Sequence, residues 1–97
     1  MSMAKLVLSL DGLVIREFPL ERARFRIGRK PGNDLQIDNL AVSGEHAVLF
    51  QEEGRFFVED LGSTNGTRVN GLPVAKQPLQ DADLIEISRY RLTYRTG

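Results

Sequence analysis

Three short segments of the chain combine residue types that could bind an anion. Arg29 directly follows Gly28 and carries a planar, permanently charged guanidinium. Ser43 supplies a hydroxyl three residues before His46, the only histidine in the sequence. Residues 62–67 (GSTNGT) supply further hydroxyls, an amide and glycine-flexible backbone N–H groups. If the fold brings these groups to one end, they suit phosphate, which offers several strong acceptors and about 1.5 to 2 negative charges near neutral pH.

The same residues allow a catalytic interpretation, with Ser43 as nucleophile, His46 as its base and Asp60 as a third member. The spacing does not fit a nucleophile elbow, and the sequence offers no evident oxyanion site. A lone histidine beside a strand is more often a structural hydrogen-bonding group. We therefore expect a binding module and not an enzyme.

Composition narrows the possible ligands and partners. Lysine plus arginine equals aspartate plus glutamate at 13 each, whereas a general nucleic-acid binder carries a basic excess. The absence of cysteine excludes disulfides and thiolate metal sites, and one histidine provides no zinc cluster, so no metal or cofactor is expected. No apolar run approaches the ~20 residues of a membrane helix, and the first residues lack a signal-peptide pattern. We expect a cytoplasmic protein that binds neither nucleic acid nor membrane.

The elements that must position these residues follow a period of two, which is typical of strands. The 97 residues suggest a single domain over 1–97. Asp11-Gly12, Glu53-Gly54 and Asn70-Gly71 are turn or hairpin signals. No window shows the apolar spacing of a helix, so the fold class is all-β, a sandwich or a barrel. The predicted strands are 6–10, 13–18, 22–27, 34–37, 46–51, 55–60, 68–69, 72–74, 83–88 and 90–95.

Taken together, the motifs resemble the forkhead-associated (FHA) domain, a phosphothreonine-binding β-sandwich. The matching segments, from about residue 22 to about residue 94, include 25–29 (FRIGR), 33–35 (NDL), 42–47 (VSGEHA), 60–71 (DLGSTNGTRVNG) and 79–87 (LQDADLIEI). The resemblance implies an FHA-type sandwich of about eleven short, mostly antiparallel strands with the binding loops at one end. It also implies a phosphothreonine-containing protein as partner, bound reversibly in Ser/Thr-kinase-linked signalling.

The resemblance assigns the phosphopeptide-binding positions. It implies that Arg29 and Ser43 contact the phosphate, that Thr64 lies in the phosphothreonine-binding loop, and that Asn65 hydrogen-bonds the peptide backbone. The position after the loop serine is often basic in the family, but here it is Gly44, which offers only its backbone N–H. Gly44 therefore leaves open an alternative function, a phosphate-independent protein contact on the same fold.

Three further positions are implied to support the site structurally. Gly28 would allow the turn that presents Arg29, and Gly66 would permit the tight turn after Asn65. His46 would bridge loops and hold the Ser43 segment in place. The sequence does not indicate the oligomeric state.

Overall fold

The fold is a sandwich of two β-sheets, described for residues 4–96 by a computed structural model. The strands are β1 (Lys5–Leu10), β2 (Leu13–Pro19), β3 (Arg24–Gly28), β4 (Leu35–Gln36), β5 (Ala47–Glu52), β6 (Arg55–Asp60), β7 (Arg68–Val69), β8 (Leu72–Pro73), β9 (Lys76–Pro78), β10 (Leu84–Ile87) and β11 (Tyr90–Arg95). One sheet has the order β2-β1-β11-β10-β7-β8 and the other β4-β3-β5-β6-β9. Only the short β3–β4 pair within the described range is parallel. The predicted all-β sandwich of about eleven strands is confirmed.

The predicted hairpin turns have the expected backbone conformation. Asp11-Gly12, Glu53-Gly54 and Asn70-Gly71 all have left-handed φ at both residues, for example 51° and 85° at Asn70-Gly71. Two such residues define a type I′ turn, whose twist matches that of the flanking strands. These turns set the β1–β2, β5–β6 and β7–β8 pairings.

The structure differs from the predicted strands mainly at β9, which we did not predict. Lys76–Pro78 is short and does not alternate, and it becomes a strand only by pairing with β6. Pro78 is accommodated because β9 lies at the edge of its sheet. Elsewhere the strand ends move by a residue or two, as at β3, which begins at Arg24 instead of residue 22.

The core lies between the sheets and takes alternate side chains from their strands. Fully buried members include Leu6, Ile27, Leu49, Ile85 and Leu92. Burying a side chain of this size contributes about 1.5–3 kcal/mol. No helix in residues 4–96 is long and apolar enough to cross a membrane.

The strand register brings the three anion-binding segments to one end of the five-stranded sheet. Ile27 pairs with Ala47, and Ala47 pairs with Asp60, so the three residues form one row across the sheet. Strand β5 begins at this row, strand β6 ends at it, and strand β3 ends at the next residue, Gly28. Arg29, Ser43 and residues 62–67 therefore lie on neighbouring loops at this end.

Candidate anion-binding site

The loops after β3 and before β5 are joined through their backbones. The Arg29 N–H donates to the Ser43 carbonyl at 2.9 Å, and the Lys30 N–H donates to the Gly44 carbonyl at 3.2 Å. These bonds place the two loops side by side. An open pocket of about 360 Å³ lies over them. The residues lining this pocket are Arg29, Leu40, Ala41, Val42, Ser43, Gly44, Thr64 and Asn65, which include all five predicted phosphopeptide-binding residues.

Gly28 allows these loops to approach closely. A Cβ atom at this position would lie 2.2 Å from the Gly44 carbonyl oxygen and 2.8 Å from Nδ2 of Asn33. Real Cβ contacts are not that short, so a side chain here would push backbone apart. The φ angle of Gly28 lies outside the left-handed region. The close approach of the Gly44 carbonyl and Asn33, and not an unusual backbone conformation, is therefore what favours glycine at this position.

Asn33 is a second link between the loops, and the sequence did not reveal its role. Its Nδ2 donates to the Lys30 carbonyl at 2.9 Å and to the Gly44 carbonyl at 2.8 Å. A side-chain amide that satisfies two backbone acceptors replaces water on both loops. The signals were its place in the 33–35 segment that resembles the FHA family and its position after Pro31-Gly32, where a loop asparagine commonly bonds to nearby backbone.

His46 joins the Ser43 loop to the loop that carries Thr64. The ring is fully buried, with 0% exposure. Its Nδ1 lies 3.1 Å from the Ser43 N–H, and its Nε2 lies 2.8 Å from the Gly66 carbonyl oxygen. The N–H can only donate and the carbonyl can only accept, so the hydrogen of the neutral ring is on Nε2. The ring thus satisfies one backbone group of each loop.

The Ser43 hydroxyl is directed at the Thr64 loop and not at a base. Its Oγ accepts the Thr64 N–H at 3.0 Å. Both nitrogens of His46 are bonded to backbone, so neither contacts Oγ. The arrangement differs from a Ser-His-Asp triad, in which the histidine bonds the serine hydroxyl. The hydroxyl hydrogen of Ser43 remains able to donate to a ligand.

Asp60 organises the start of the Thr64 loop. Its Oδ2 accepts the N–H groups of Gly62 and Ser63, both at 3.0 Å. Its Oδ1 accepts the hydroxyls of Ser63 at 2.5 Å and of Thr67 at 2.7 Å. The Ser63 hydroxyl in turn accepts the Gly66 N–H at 2.9 Å. The sequence signal was an aspartate at the end of a strand with Ser three residues later, a pattern typical of side-chain-stabilised turns.

This hydrogen bonding also affects the acidity of Asp60. Partial burial by itself would raise the pKa of the carboxyl, but the hydrogen bonds from Ser63 and Thr67 favour the ionised form and lower the pKa below its ordinary value. Asp60 therefore holds the loop as a carboxylate.

Asn65 closes the other side of the pocket. Its Nδ2 donates to the Ala41 carbonyl at 2.8 Å, and its Oδ1 accepts no hydrogen bond from residues 4–96. Gly66 follows with a φ of 85°, a conformation that favours glycine and turns the chain after Asn65. Asn65 can thus hold the Ala41 backbone and still accept a hydrogen bond from a bound molecule.

The charge in the pocket is positive and is not neutralised locally. The half-buried Arg29 forms no ion pair with a carboxylate within the described part of the chain. The N–H of Gly44 likewise donates no hydrogen bond within residues 4–96. Three residues with a guanidinium, a hydroxyl and a backbone N–H, none of which is bound to an acceptor within residues 4–96, therefore line one open pocket.

A β-sandwich whose end loops surround such a pocket is an anion-recognition module. The family model described as "FHA domain" matches residues 25–88, and the chain belongs to the FHA-domain family.

Curated relatives include two bacterial regulators. The oxoglutarate dehydrogenase inhibitor of Corynebacterium efficiens is 40% identical over 92 residues, covering 88% of this chain and 65% of the relative. The glycogen accumulation regulator GarA of Mycolicibacterium smegmatis is 38% identical over 92 residues, covering 88% of this chain and 58% of the relative. The chain therefore spans about two thirds or less of the length of these relatives.

Solved structures agree with the fold over almost the whole chain. A domain from a structural and functional analysis of phosphothreonine-dependent FHA domain interactions has a TM-score of 0.88 and 29% identity, and the match covers 98% of this chain and 97% of that one. Mycobacterium tuberculosis EmbR, solved in complex with a low-affinity phosphopeptide, has a TM-score of 0.88 and 33% identity, with 96% and 24% covered.

Proposed function

We propose that this chain binds phosphothreonine-containing segments of other proteins reversibly, as part of Ser/Thr-kinase signalling. The observation that carries the proposal is the position of Arg29, which has no carboxylate partner among residues 4–96, in the same pocket as Ser43 and Gly44. Membership of the FHA family supports it, as do similar structures studied with phosphothreonine or a phosphopeptide.

Each polar group of the pocket has a part in the proposed binding. The planar fork of Arg29 contacts two phosphate oxygens, and the Ser43 hydroxyl and the Gly44 N–H donate to the same group. Thr64 lines the same pocket, and Oδ1 of Asn65 accepts an N–H of the peptide. Hydrogen bonds to charged groups contribute about 1.5–3 kcal/mol each. Three of them contribute about 4.5–9 kcal/mol, whereas micromolar affinity needs about 8 kcal/mol after the cost of ordering a flexible peptide has been subtracted. Micromolar binding therefore also requires contacts with the peptide backbone and side chains.

Selection of threonine over serine depends on one methyl group. Ala41 lines the pocket next to Ser43 and provides apolar contact for it, whereas Val42 is buried in the core. Burying one such carbon contributes about 0.8 kcal/mol, or about a fourfold preference. A stronger preference than this requires that phosphoserine also lose alignment with Arg29.

The test is a degenerate peptide library presented in three matched forms, with phosphothreonine, phosphoserine or unmodified threonine at the fixed position. We expect binding only to the phosphorylated forms, with phosphothreonine preferred. Arg29→Ala and Ser43→Ala should abolish binding while circular dichroism and the melting temperature stay close to those of the unsubstituted chain. Equal binding of the unmodified library would instead support a phosphate-independent contact, the alternative that Gly44 favours.

The proposal includes one FHA domain over residues 1–97 and no catalytic activity. Among residues 4–96, no base accepts a hydrogen bond from the Ser43 hydroxyl, since His46 uses both ring nitrogens on backbone groups. A cytoplasmic location is also part of the proposal, supported by relatives named as a glycogen accumulation regulator and a dehydrogenase inhibitor. Hydrolysis of generic ester or phosphate substrates that is lost on Ser43→Ala would contradict the non-catalytic assignment.

A further inference from the structure

The side chain of Lys30 lies over Gly44, which lines the anion-binding pocket. Lys30 itself lines a second surface depression together with Arg26, Asn33 and Glu45. A Cβ atom built on Gly44 would lie 3.0 Å from Cε of Lys30, 3.2 Å from Cγ and 3.4 Å from Cδ. The methylene chain of the lysine therefore occupies the space that a side chain at position 44 would fill. Gly44 itself lines the pocket together with Arg29 and Ser43. We propose that Lys30 is a second phosphate-binding cation and that Gly44 is the residue that makes room for it.

The backbone of Lys30 is held rigidly relative to the pocket. Its N–H donates to the Gly44 carbonyl, and Asn33 bonds to the carbonyls of both Lys30 and Gly44. Only side-chain torsions separate the amine from a ligand next to Gly44. Ordering of the loop then costs little binding free energy, and the remaining conformational cost is that of fixing the lysine side chain.

The present partner of the lysine amine is weakly bound. Nζ lies 4.0 Å from Oε2 of Glu45, and the two side chains are 68% and 60% exposed. Exposed ion pairs at this separation contribute little and are screened by salt. A phosphate in the pocket carries about twice the charge of a carboxylate and offers three acceptors. The amine therefore moves from Glu45 to the phosphate when a phosphopeptide binds.

This inference rests on the proposed phosphopeptide function, and it identifies a residue that tunes affinity for the phosphate. The arrangement makes Lys30 and Gly44 interdependent. A side chain at position 44 would contact the lysine stem within 3.0–3.4 Å and displace it. Gly44→Ala should therefore weaken phosphopeptide binding in the chain with Lys30 and have little further effect once Lys30 has been replaced.

The experiment measures affinity by calorimetry for one phosphothreonine peptide selected from the library and for its unphosphorylated form. Lys30→Met keeps the apolar stem over Gly44 and removes only the charge. Lys5→Met makes the same chemical change at Lys5, which pairs with Glu17 on the β1–β2 hairpin of the other sheet and does not lie over Gly44. Both variants should keep the melting temperature of the unsubstituted chain within a few degrees, since each loses only an exposed ion pair.

We expect Lys30→Met to weaken phosphopeptide binding about tenfold, the effect of one hydrogen bond to a charged group, and to make the affinity less dependent on salt. Lys5→Met and Lys30→Arg should stay within about threefold, and Glu45→Gln should strengthen binding because it removes the competing carboxylate. Equal effects of Lys30→Met and Lys5→Met would overturn the inference while leaving the proposed function intact. Equal binding of both peptides by the unsubstituted chain would overturn the proposed function, and this inference with it.

Discussion

Replacing His46 by alanine should destabilise the whole domain and loosen the binding loops. The substitution leaves the Ser43 N–H and the Gly66 carbonyl without their partner, and it opens a cavity at a fully buried position. An unsatisfied buried polar group costs about 1–3 kcal/mol. We expect a total loss of about 2–5 kcal/mol, because water that enters the cavity can restore part of the hydrogen bonding. For a domain of this size the melting temperature should fall by about 10 °C or more.

Two conservative variants separate the two hydrogen bonds of the ring. His46→Asn places an amide near the position of Nδ1 and can still accept the Ser43 N–H, whereas His46→Gln reaches the position of Nε2 and can still donate to Gly66. Urea unfolding should rank both variants between the original chain and His46→Ala. Hydrogen exchange should show a protected Thr64 amide in the asparagine variant and a faster one in the glutamine variant, since Thr64 donates to the Ser43 hydroxyl.

Two results would refute this reasoning about His46. An alanine variant as stable as the original chain, with unchanged exchange at Thr64, would mean that the ring does not join the loops. A stable and fully ordered alanine variant that has lost only phosphopeptide binding would mean that His46 contacts the ligand directly.

Three further substitutions test individual features of the structure. Gly28→Ala places a Cβ 2.2 Å from the Gly44 carbonyl oxygen and should lower the free energy of unfolding by about 1–3 kcal/mol, as measured by thermal unfolding. Gly32→Ala is the control, because a Cβ there has no atom within 4 Å, and it should change the free energy of unfolding by no more than about 0.5 kcal/mol. Similar losses in both variants would rule out the packing explanation. Folding lowers the pKa of Asp60 from 3.8, so its ionised form stabilises the fold above that pH, and the contribution is lost as the pH falls through the lowered value. Urea unfolding from about pH 5 down to about pH 2 should therefore show a steeper loss for the original chain than for Asp60→Asn, and parallel curves would contradict the assignment. Ala82 has a φ of 70°, which is unfavourable for a residue with a Cβ, so Ala82→Gly should raise stability by up to about 1 kcal/mol in the same assay; a marked loss would show that this conformation is not strained.

Most strands and hairpins could be predicted because local signals determine them. Asp11-Gly12 and Asn70-Gly71 specify type I′ turns in their own residues, and alternation along 55–60 and 90–95 matches β6 and β11 without change. Strand β9 could not be predicted in this way. Lys76–Pro78 has no strand pattern of its own and depends on hydrogen bonds to β6, which lies about twenty residues earlier in the chain.

The residues of the candidate site could be predicted from the sequence, but the contacts that join its loops could not. Loops rich in hydrogen-bond donors suit an anion, and this pattern identified Arg29, Ser43, Thr64 and Asn65. The structure adds how the loops are joined, through contacts that no spacing reveals: the Gly28 approach to Gly44, and the two carbonyls bonded by Asn33. The contact between the Lys30 side chain and Gly44 could not be predicted either, since it joins residues from two separate loops.

The most direct test of the central claim is a ¹H–¹⁵N NMR titration that locates the bound peptide. A phosphothreonine peptide should shift the backbone amides of Gly44, Thr64 and Asn65 and the Nε signal of Arg29, while the same peptide without phosphate should leave them in place. Shifts confined to another surface, or identical shifts with both peptides, would contradict a phosphate-binding pocket at this end of the sandwich.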